Sequence, residues 1–295
     1  MNGGSVRRVF RKLLSRRATA AALIYLAGLT VLALAAPLLP LDPLAQDILA
    51  SLEGPSAAHW FGADELGRDI MARVIHGART SLSTAAGAVA IAAAIGIPMG
   101  LAAGYFGGWR DAILMRFVDV MLALPAILFA MAMIAVLGRS QVAALVAVGI
   151  TGVPTFARIT RAQVLTLRTR DYVAAVRSFG ASTRYVMFHS ILPNAMSPIL
   201  VQVIVLSSVA ILLEAALAFL GVGIPPPTPS WGEMLRTGKS YLHEAPTYAV
   251  LPGIVLTLTI LSFDTLGRAL SAILENRDPA EAEVAIEKTA QRAEA

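Results

Sequence analysis

The sequence predicts an all-α integral membrane protein with about six transmembrane helices, and three observations support this prediction. Hydrophobic residues make up 57% of the 295 residues and charged residues only 15%, whereas soluble domains carry about 25% charged residues. The charges form clusters separated by apolar runs, and several runs exceed the roughly 20 residues that a membrane-spanning helix needs. Two arginine-rich clusters fit one topology, with both termini in the cytoplasm according to the positive-inside rule.

The first apolar run, residues 18–41, contains no charged residue and follows a basic segment, residues 1–17. A basic segment before an apolar run is also typical of a signal peptide. The apolar region of a signal peptide is only about 7–15 residues long, however, and further spans follow this run. We therefore predict a retained first transmembrane helix after a cytoplasmic N-terminus. The polar segment 42–79, with acids and bases nearly balanced, is expected outside the membrane.

The rest of the chain predicts a helical core over residues 80–272 and a mixed-charge cytoplasmic tail over 273–295. Within the core, apolar runs predict spans at about 80–109, 112–137, 141–156, 196–222 and 247–271. Residues 158–184, between the fourth and fifth spans, hold six arginines and a single acid. Such an excess of positive charge predicts a cytoplasmic loop.

Several function classes find no support in the sequence. The chain has no cysteine, and its four histidines are far apart, so neither a disulfide framework nor a metal site is predicted. The net charge of +5 is explained by membrane orientation rather than by nucleic-acid binding. Gly238-Lys239-Ser240 resembles the end of a phosphate-binding loop, but Glu233 replaces the required glycine. We therefore expect no cofactor, metal or catalytic residue in this chain.

Residues 171–180 predict a short amphipathic helix in the arginine-rich loop. The apolar residues Tyr172, Ala175, Val176 and Phe179 form a one-sided stripe. Gly180 is expected to end this helix in the left-handed conformation that glycine adopts readily. The residues alone leave two alternatives for such a helix. It either lies on anionic lipid headgroups or docks in a groove of a soluble partner.

This segment resembles the EAA loop of bacterial ABC importer permeases, in which a Glu-Ala-Ala triplet precedes a glycine and, later, Ile-x-Leu-Pro. Ala174-Ala175-Val176 occupies the triplet, Gly180 the glycine, and Leu192-Pro193 the closing pair. Ala174 replaces the glutamate, Val176 replaces the second alanine, and Ser190 stands where isoleucine is usual. The resemblance implies a coupling loop over 158–195. Its expected ATPase-contacting residues are Tyr172, Ala174, Ala175, Val176, Arg177, Phe179, Gly180, Leu192 and Pro193.

Four further segments are similar to the C-type subunit of the dipeptide/oligopeptide/nickel permease family. These segments are residues 59–69, 77–82, 107–119 and 226–232, and their order and spacing match from about 18 to 267. The resemblance implies a type I ABC importer permease fold with a cytoplasmic coupling helix, in the bacterial cytoplasmic membrane. The implied substrates are peptides, with nickel chelates or glutathione as alternatives.

The same resemblance implies four protein partners besides membrane lipid. These are a homologous second permease subunit, two ABC ATPase subunits that bind ATP and Mg, and an extracytoplasmic peptide-binding protein.

A self-contained secondary transporter is the rival hypothesis. Such transporters normally need ion-coupling carboxylates near the midplane and often two similar halves. A single Glu and no evident repeat argue against it.

Charged residues within the predicted spans are candidates for function. Glu214 lies inside the fifth span, where an ionised carboxylate costs several kcal/mol. It either lines the translocation path and meets a substrate ammonium, or is protonated and hydrogen-bonded to a neighbouring helix. Arg116 and Asp119 are three residues apart on one helix, which predicts an ion pair between them. Asp264 is expected to serve packing or an interface rather than substrate binding.

Glycines recur every four residues along the second span, at Gly96, Gly100 and Gly104. This spacing gives a flat ridge on which another helix backbone can approach closely. We expect the ridge to pack within the chain rather than against another subunit.

Overall fold

The computed structural model describes residues 11–274, and these residues are mainly α-helical. They contain no β-strand beyond one isolated bridge between Ala63 and Asp69. Residues 1–10 and 275–295, which include most of the predicted basic N-terminus and tail, lie outside the described range. The main helices are α1 Arg17–Ala35, α2 Ile70–Phe106, α3 Gly108–Ala123, α4 Ala126–Leu137, α5 Gln141–Leu167, α6 Asp171–Ser178, α7 Leu192–Phe219, α8 Trp231–Gly238 and α9 Thr247–Leu274.

Five of the described helices are long and apolar enough to cross a membrane, namely α1, α2, α5, α7 and α9. A sixth candidate span consists of α3 and α4 together, which are bent by 93°. The break falls at Leu124-Pro125, because proline lacks an N–H and disfavours helical geometry in the residue before it. Leu124 is accordingly extended, with φ −98° and ψ 135°. The predicted count of about six spans is confirmed, but the prediction of one continuous helix over 112–137 is wrong.

The α2 and α5 helices pack against each other along the predicted glycine ridge. A Cβ atom at Gly96, Gly100 or Gly104 would lie 2.6, 2.2 or 2.9 Å from a backbone oxygen of α5. Real Cβ atoms do not approach backbone oxygens so closely, so these positions require glycine. The ridge therefore contacts another helix of the same chain.

The bundle has two ends. At the first, which we call the arginine-rich end, α2 and α5 finish side by side, and the Arg168 guanidinium donates to the Gly104 carbonyl at 2.9 Å. Near the same end, α1 packs against the second half of α9, where Ala22 and Leu26 share an apolar cluster with Leu266. At the opposite end lie residues 36–69 and α8. The polypeptide leaves α1 there, since His76 near the start of α2 contacts the Leu41 carbonyl at 3.2 Å.

Candidate functional site

The short helix α6 stands at the arginine-rich end, and its ends are well defined. Asp171 lies in its first turn and Arg177 in its last, which suits the helix dipole at both ends. Gly180 has φ +79°, the left-handed conformation predicted for it. Its N–H donates to the Arg177 carbonyl at 2.9 Å, and the Ala181 N–H donates to the Val176 carbonyl at 3.3 Å. These two bonds form a Schellman motif, which satisfies the last carbonyls of the helix.

The two faces of α6 have different surroundings. Val173 is fully buried and Val176 is partly buried, and both pack into an apolar cluster with Leu101 of α2 and Ile191. The predicted exposed stripe was therefore wrong about Val176, because Val173 and Val176 are three residues apart and face the bundle together. The outward face carries Tyr172, Ala175 and Phe179, and Phe179 is 91% exposed.

Other predicted coupling residues connect α6 to its neighbours or lie at the surface. The Arg177 guanidinium stacks over the Tyr105 ring at 5.0 Å, which ties α6 to the end of α2. Leu192 is partly buried at the start of α7, and Pro193 is exposed beside it. The Ala174 side chain is exposed, so the position of the family's glutamate faces outward from the bundle.

The path from α6 to α7 is helical except for a four-residue turn, 179–182, in which Ser182 is extended. A helical turn, Thr183–Tyr185, leads into a π-helical segment, Val186–Ile191, and this segment continues directly as α7. The Tyr172 hydroxyl lies 3.5 Å from the Ser190 carbonyl within the same segment. A displacement of α6 would therefore be transmitted to α7 by the backbone as well as by packing.

Ion pairs between helices hold α3 against α5. The Arg161 guanidinium donates two hydrogen bonds of 2.6 Å to the Asp111 carboxylate, and Arg158 pairs with Asp119 at 2.7 Å. The predicted pair between Arg116 and Asp119 is therefore wrong, because Asp119 turns towards α5. Arg116 is exposed and makes no side-chain ion pair within residues 11–274. Helical spacing suggested the local pair, while the actual partner lies 39 residues along the chain.

Glu214 lies inside α7 and is only 1% exposed. Neither of its carboxyl oxygens makes a hydrogen bond of normal geometry within the described chain, although Ser81 of α2 and Ser230 are the polar side chains beside it. A buried ionised carboxylate without compensating partners is costly. This enclosure favours a protonated Glu214 over a path-lining one, although the hydrogen bond expected to a neighbouring helix is not formed within the described residues. Asp264, the other acid considered for packing, pairs with Arg268 on α9.

At the opposite end, residues 42–69 form a folded segment that we call the cap. Its base is a network of buried charges, which the sequence did not predict. Asp64 accepts from Arg68 at 2.6 Å and lies 3.3 Å from Arg73 of α2, and Arg73 also pairs with Glu233 of α8 at 3.1 Å. These four residues are at most 5% exposed. The network joins the cap to both α2 and α8.

The described residues hold no group of three or more His, Cys, Asp or Glu side chains arranged for a metal ion. A bundle of apolar helices with up to six spans defines a multi-pass membrane protein. The α6 helix packs with one face against the ends of two of those spans, α2 and α5, and is exposed on the other face.

Comparison with known proteins gives the family. Residues 96–277 match the family described as "Binding-protein-dependent transport system inner membrane component". The chain is 40% identical over 270 residues to a dipeptide transport system permease protein of Alkalihalophilus pseudofirmus, covering 91% of this chain and 89% of the relative. A di/tripeptide transport system permease protein of Pseudomonas aeruginosa is 42% identical over 260 residues, covering 86% of each chain. A glutathione transport system permease protein of Pectobacterium atrosepticum is 42% identical over 223 residues, covering 76% and 74%.

Solved structures show the same fold. An inward-facing MetNI methionine ABC transporter matches with a TM-score of 0.54 and 19% identity, covering 68% of this chain and 97% of that one. An amino acid ABC transporter matches with a TM-score of 0.53 and 18% identity, covering 70% and 94%.

This chain belongs to the family of binding-protein-dependent transport system inner membrane components. It is a permease subunit of an ABC importer, and ATP hydrolysis belongs to a separate subunit. The family and fold class predicted from the EAA-like loop and the peptide-permease segments are therefore confirmed.

Proposed function

We propose that this permease carries peptides of a few residues into the cytoplasm of a bacterium. The named substrates of its relatives support this proposal, since dipeptides, di/tripeptides and glutathione are all short peptides. The proposed complex contains a homologous second permease, two ATPase subunits that bind ATP and Mg, and a peptide-binding protein outside the membrane. Nickel chelates remain the second candidate substrate class, from the resemblance alone.

The observation that carries the coupling mechanism is the two-sided packing of α6. Its inner valines share one apolar cluster with α2 and with the segment that leads into α7, while its outer face presents Ala175 and Phe179 without a partner in the described chain. An exposed apolar helix face of this kind fits a hydrophobic groove on another protein. We assign this groove to the ATPase subunit.

The mechanism follows from these contacts. ATP binding draws the two ATPase subunits together, and each subunit moves the helix that is docked in its groove. The inner face of α6 is packed too closely to slide independently, since Val173 is fully buried. The displacement therefore moves the ends of α2 and α7 together. Rocking of these helices opens the path alternately to the two sides of the membrane.

Orientation completes the proposal. Arginines are concentrated at the end that carries α6, and by the positive-inside rule this supports a cytoplasmic location for that end. The start of α1 and the end of α9 lie near the same end, so both termini are assigned to the cytoplasm. The cap and α8 then face the outside, where a binding protein delivers the peptide.

The test is ATPase activity of the purified complex, reconstituted with its binding protein. We expect dipeptides and tripeptides to raise the ATPase rate several-fold and to enter vesicles only when ATP is present. A nickel chelate that stimulates the complex while peptides do not would replace the proposed substrate. Peptide uptake that persists without ATP would instead favour the secondary-transporter hypothesis.

A further inference from the structure

The cap exposes large apolar side chains where a folded segment would normally bury them. Leu49 is 98% exposed, Ile48 is 78% exposed and Leu66 is 40% exposed. The first two belong to one short helical turn, Ile48–Ala50. Three such side chains on one folded segment are more than the scattered exposed leucine that any soluble surface carries.

These three side chains lie close together because two stretches of the cap, residues 47–53 and 62–67, run antiparallel. The Asp47 N–H donates to the Gly67 carbonyl at 3.3 Å, and the Leu52 N–H donates to the Asp64 carbonyl at 3.0 Å. The residues beside Asp47 and Gly67 are Ile48 and Leu66, so they are neighbours. We call Ile48, Leu49 and Leu66 the cap patch.

The cap has one fixed shape, so the exposure is not that of a loosely held loop. Gly67 has φ +70°, and a Cβ atom there would lie 1.6 Å from the Asp47 carbonyl oxygen. Gly62 has φ +85°, and its Cβ would lie 2.7 Å from the Glu53 carbonyl oxygen. Only glycine permits both close approaches, and the buried charges at the base hold the cap on α2 and α8.

The charge around the cap patch distinguishes a protein partner from lipid. Within the cap, six acids stand against a single arginine, Arg68, and this arginine is only 5% exposed. The exposed charged residues of the cap are all acidic, namely Asp42, Asp47 and Glu53. An acidic rim is repelled by anionic lipid headgroups, and it attracts a protein surface rich in Lys and Arg.

We propose that the cap patch is a docking surface for the binding protein that delivers the peptide. The proposal rests on the proposed function, because it requires the cap to lie outside the membrane. The complementary surface has an apolar centre that covers Ile48 and Leu49 and a basic border that faces Asp47 and Glu53. Apolar centres with polar rims are the usual anatomy of such interfaces.

Contacts behind the patch connect docking to the transmembrane helices. Asp64 of the cap pairs with Arg73 of α2, and Arg73 pairs in turn with Glu233 of α8. The α8 helix rests directly on α7, since a Cβ at Gly232 would lie 2.6 Å from the Ala215 carbonyl oxygen. A force applied to the cap therefore reaches the same helix that α6 moves from the other end.

The experiment measures binding of the purified, dipeptide-loaded binding protein to the complete complex in nanodiscs. We expect Leu49→Ser to weaken binding at least tenfold and to reduce the ATPase stimulation that the binding protein causes. Leu38→Ser is the matched control: Leu38 is 86% exposed, lies at the same end and falls outside the cap. Glu53→Gln should slow association about two- to fivefold and reduce its dependence on salt.

Three results would overturn the proposal. The first is unchanged affinity for Leu49→Ser when the wild-type complex binds normally. The second is loss of the second permease from purified Leu49→Ser complexes, which would assign the patch to contact between permeases. The third is equal weakening by Leu38→Ser, which would indicate a lipid effect. If the wild-type complex neither binds the binding protein nor responds to it, the proposed function itself fails, together with this inference.

Discussion

The buried charge network at the base of the cap gives the sharpest stability prediction. Glu233→Ala removes one of the two carboxylates beside Arg73, which is completely buried. Removing one partner of a buried pair typically costs about 3–5 kcal/mol, because the remaining charge is left uncompensated. Asp64 remains 3.3 Å from Arg73 and the Pro43 carbonyl 3.4 Å away, so we expect the lower part of this range, about 3 kcal/mol.

The assay is thermal unfolding of the purified complex, combined with limited proteolysis of the cap. Glu233→Ala should lower the melting temperature by several degrees and expose the cap to protease. The double variant Arg73→Met with Glu233→Leu removes both charges and should recover part of the loss. Glu244→Ala, at an exposed acid after α8, is the control and should change nothing. A melting temperature equal to the wild type for Glu233→Ala would refute the reasoning.

Three further predictions concern packing, the buried acid and topology. Gly100→Leu should prevent assembly of the complex, because the Cβ of the new side chain would lie 2.2 Å from the Ala157 carbonyl oxygen. Stable Gly100→Leu complexes would contradict this prediction, and Gly28→Leu, at a glycine with open space around it, is the control. Glu214→Gln should leave the KM for peptide within about twofold of the wild-type value, since the carboxyl group is enclosed by the protein. A tenfold rise in KM, equivalent to about 1.4 kcal/mol, would indicate that Glu214 contacts the substrate. In this cysteine-free chain, Ser56→Cys should react with an impermeant thiol reagent added outside intact cells, whereas Ser182→Cys should not. The reverse labelling pattern would show that the topology is opposite to the predicted one.

The sequence predicted the helices better than it predicted their breaks and ends. Long apolar runs have few structural alternatives in a membrane, so the number of spans followed from composition and charge. The bend at Leu124-Pro125 has a signal in the sequence, because a proline lies inside an apolar run. That run is long enough for one continuous span, so the break was not predicted. The prediction ended α5 near Phe156 because arginines follow, yet α5 continues to Leu167. Arginine is a good helix former, and two of these arginines pair with acids of α3.

The contacts of the site were predictable only where they are local. Gly180 could be assigned a positive φ, because the end of a helix requires it. The direction that α6 faces could not be assigned, since Val173 and Val176 form a second apolar pair beside Ala175 and Phe179. Hydrophobicity alone does not indicate which pair is covered by the same chain.

Ion pairs between residues far apart in the chain could not be predicted from the sequence. Arg73 and Glu233 are 160 residues apart, and no periodic pattern joins them. The exposed charges of the cap are acidic because Arg68, its one arginine, is buried at the base beside Asp64.

Coupling through α6 is the central claim, and copurification of the ATPase subunits tests it most directly. Ala175→Glu places a carboxylate on the outer apolar face, whereas Ala174→Glu adds the same group at the neighbouring exposed position and restores the family's glutamate. We predict that Ala175→Glu inserts normally in the membrane but loses the ATPases and transport, while Ala174→Glu keeps both. If Ala175→Glu retains the ATPases at the wild-type ratio and supports full peptide uptake, α6 is not the element that couples this permease to ATP.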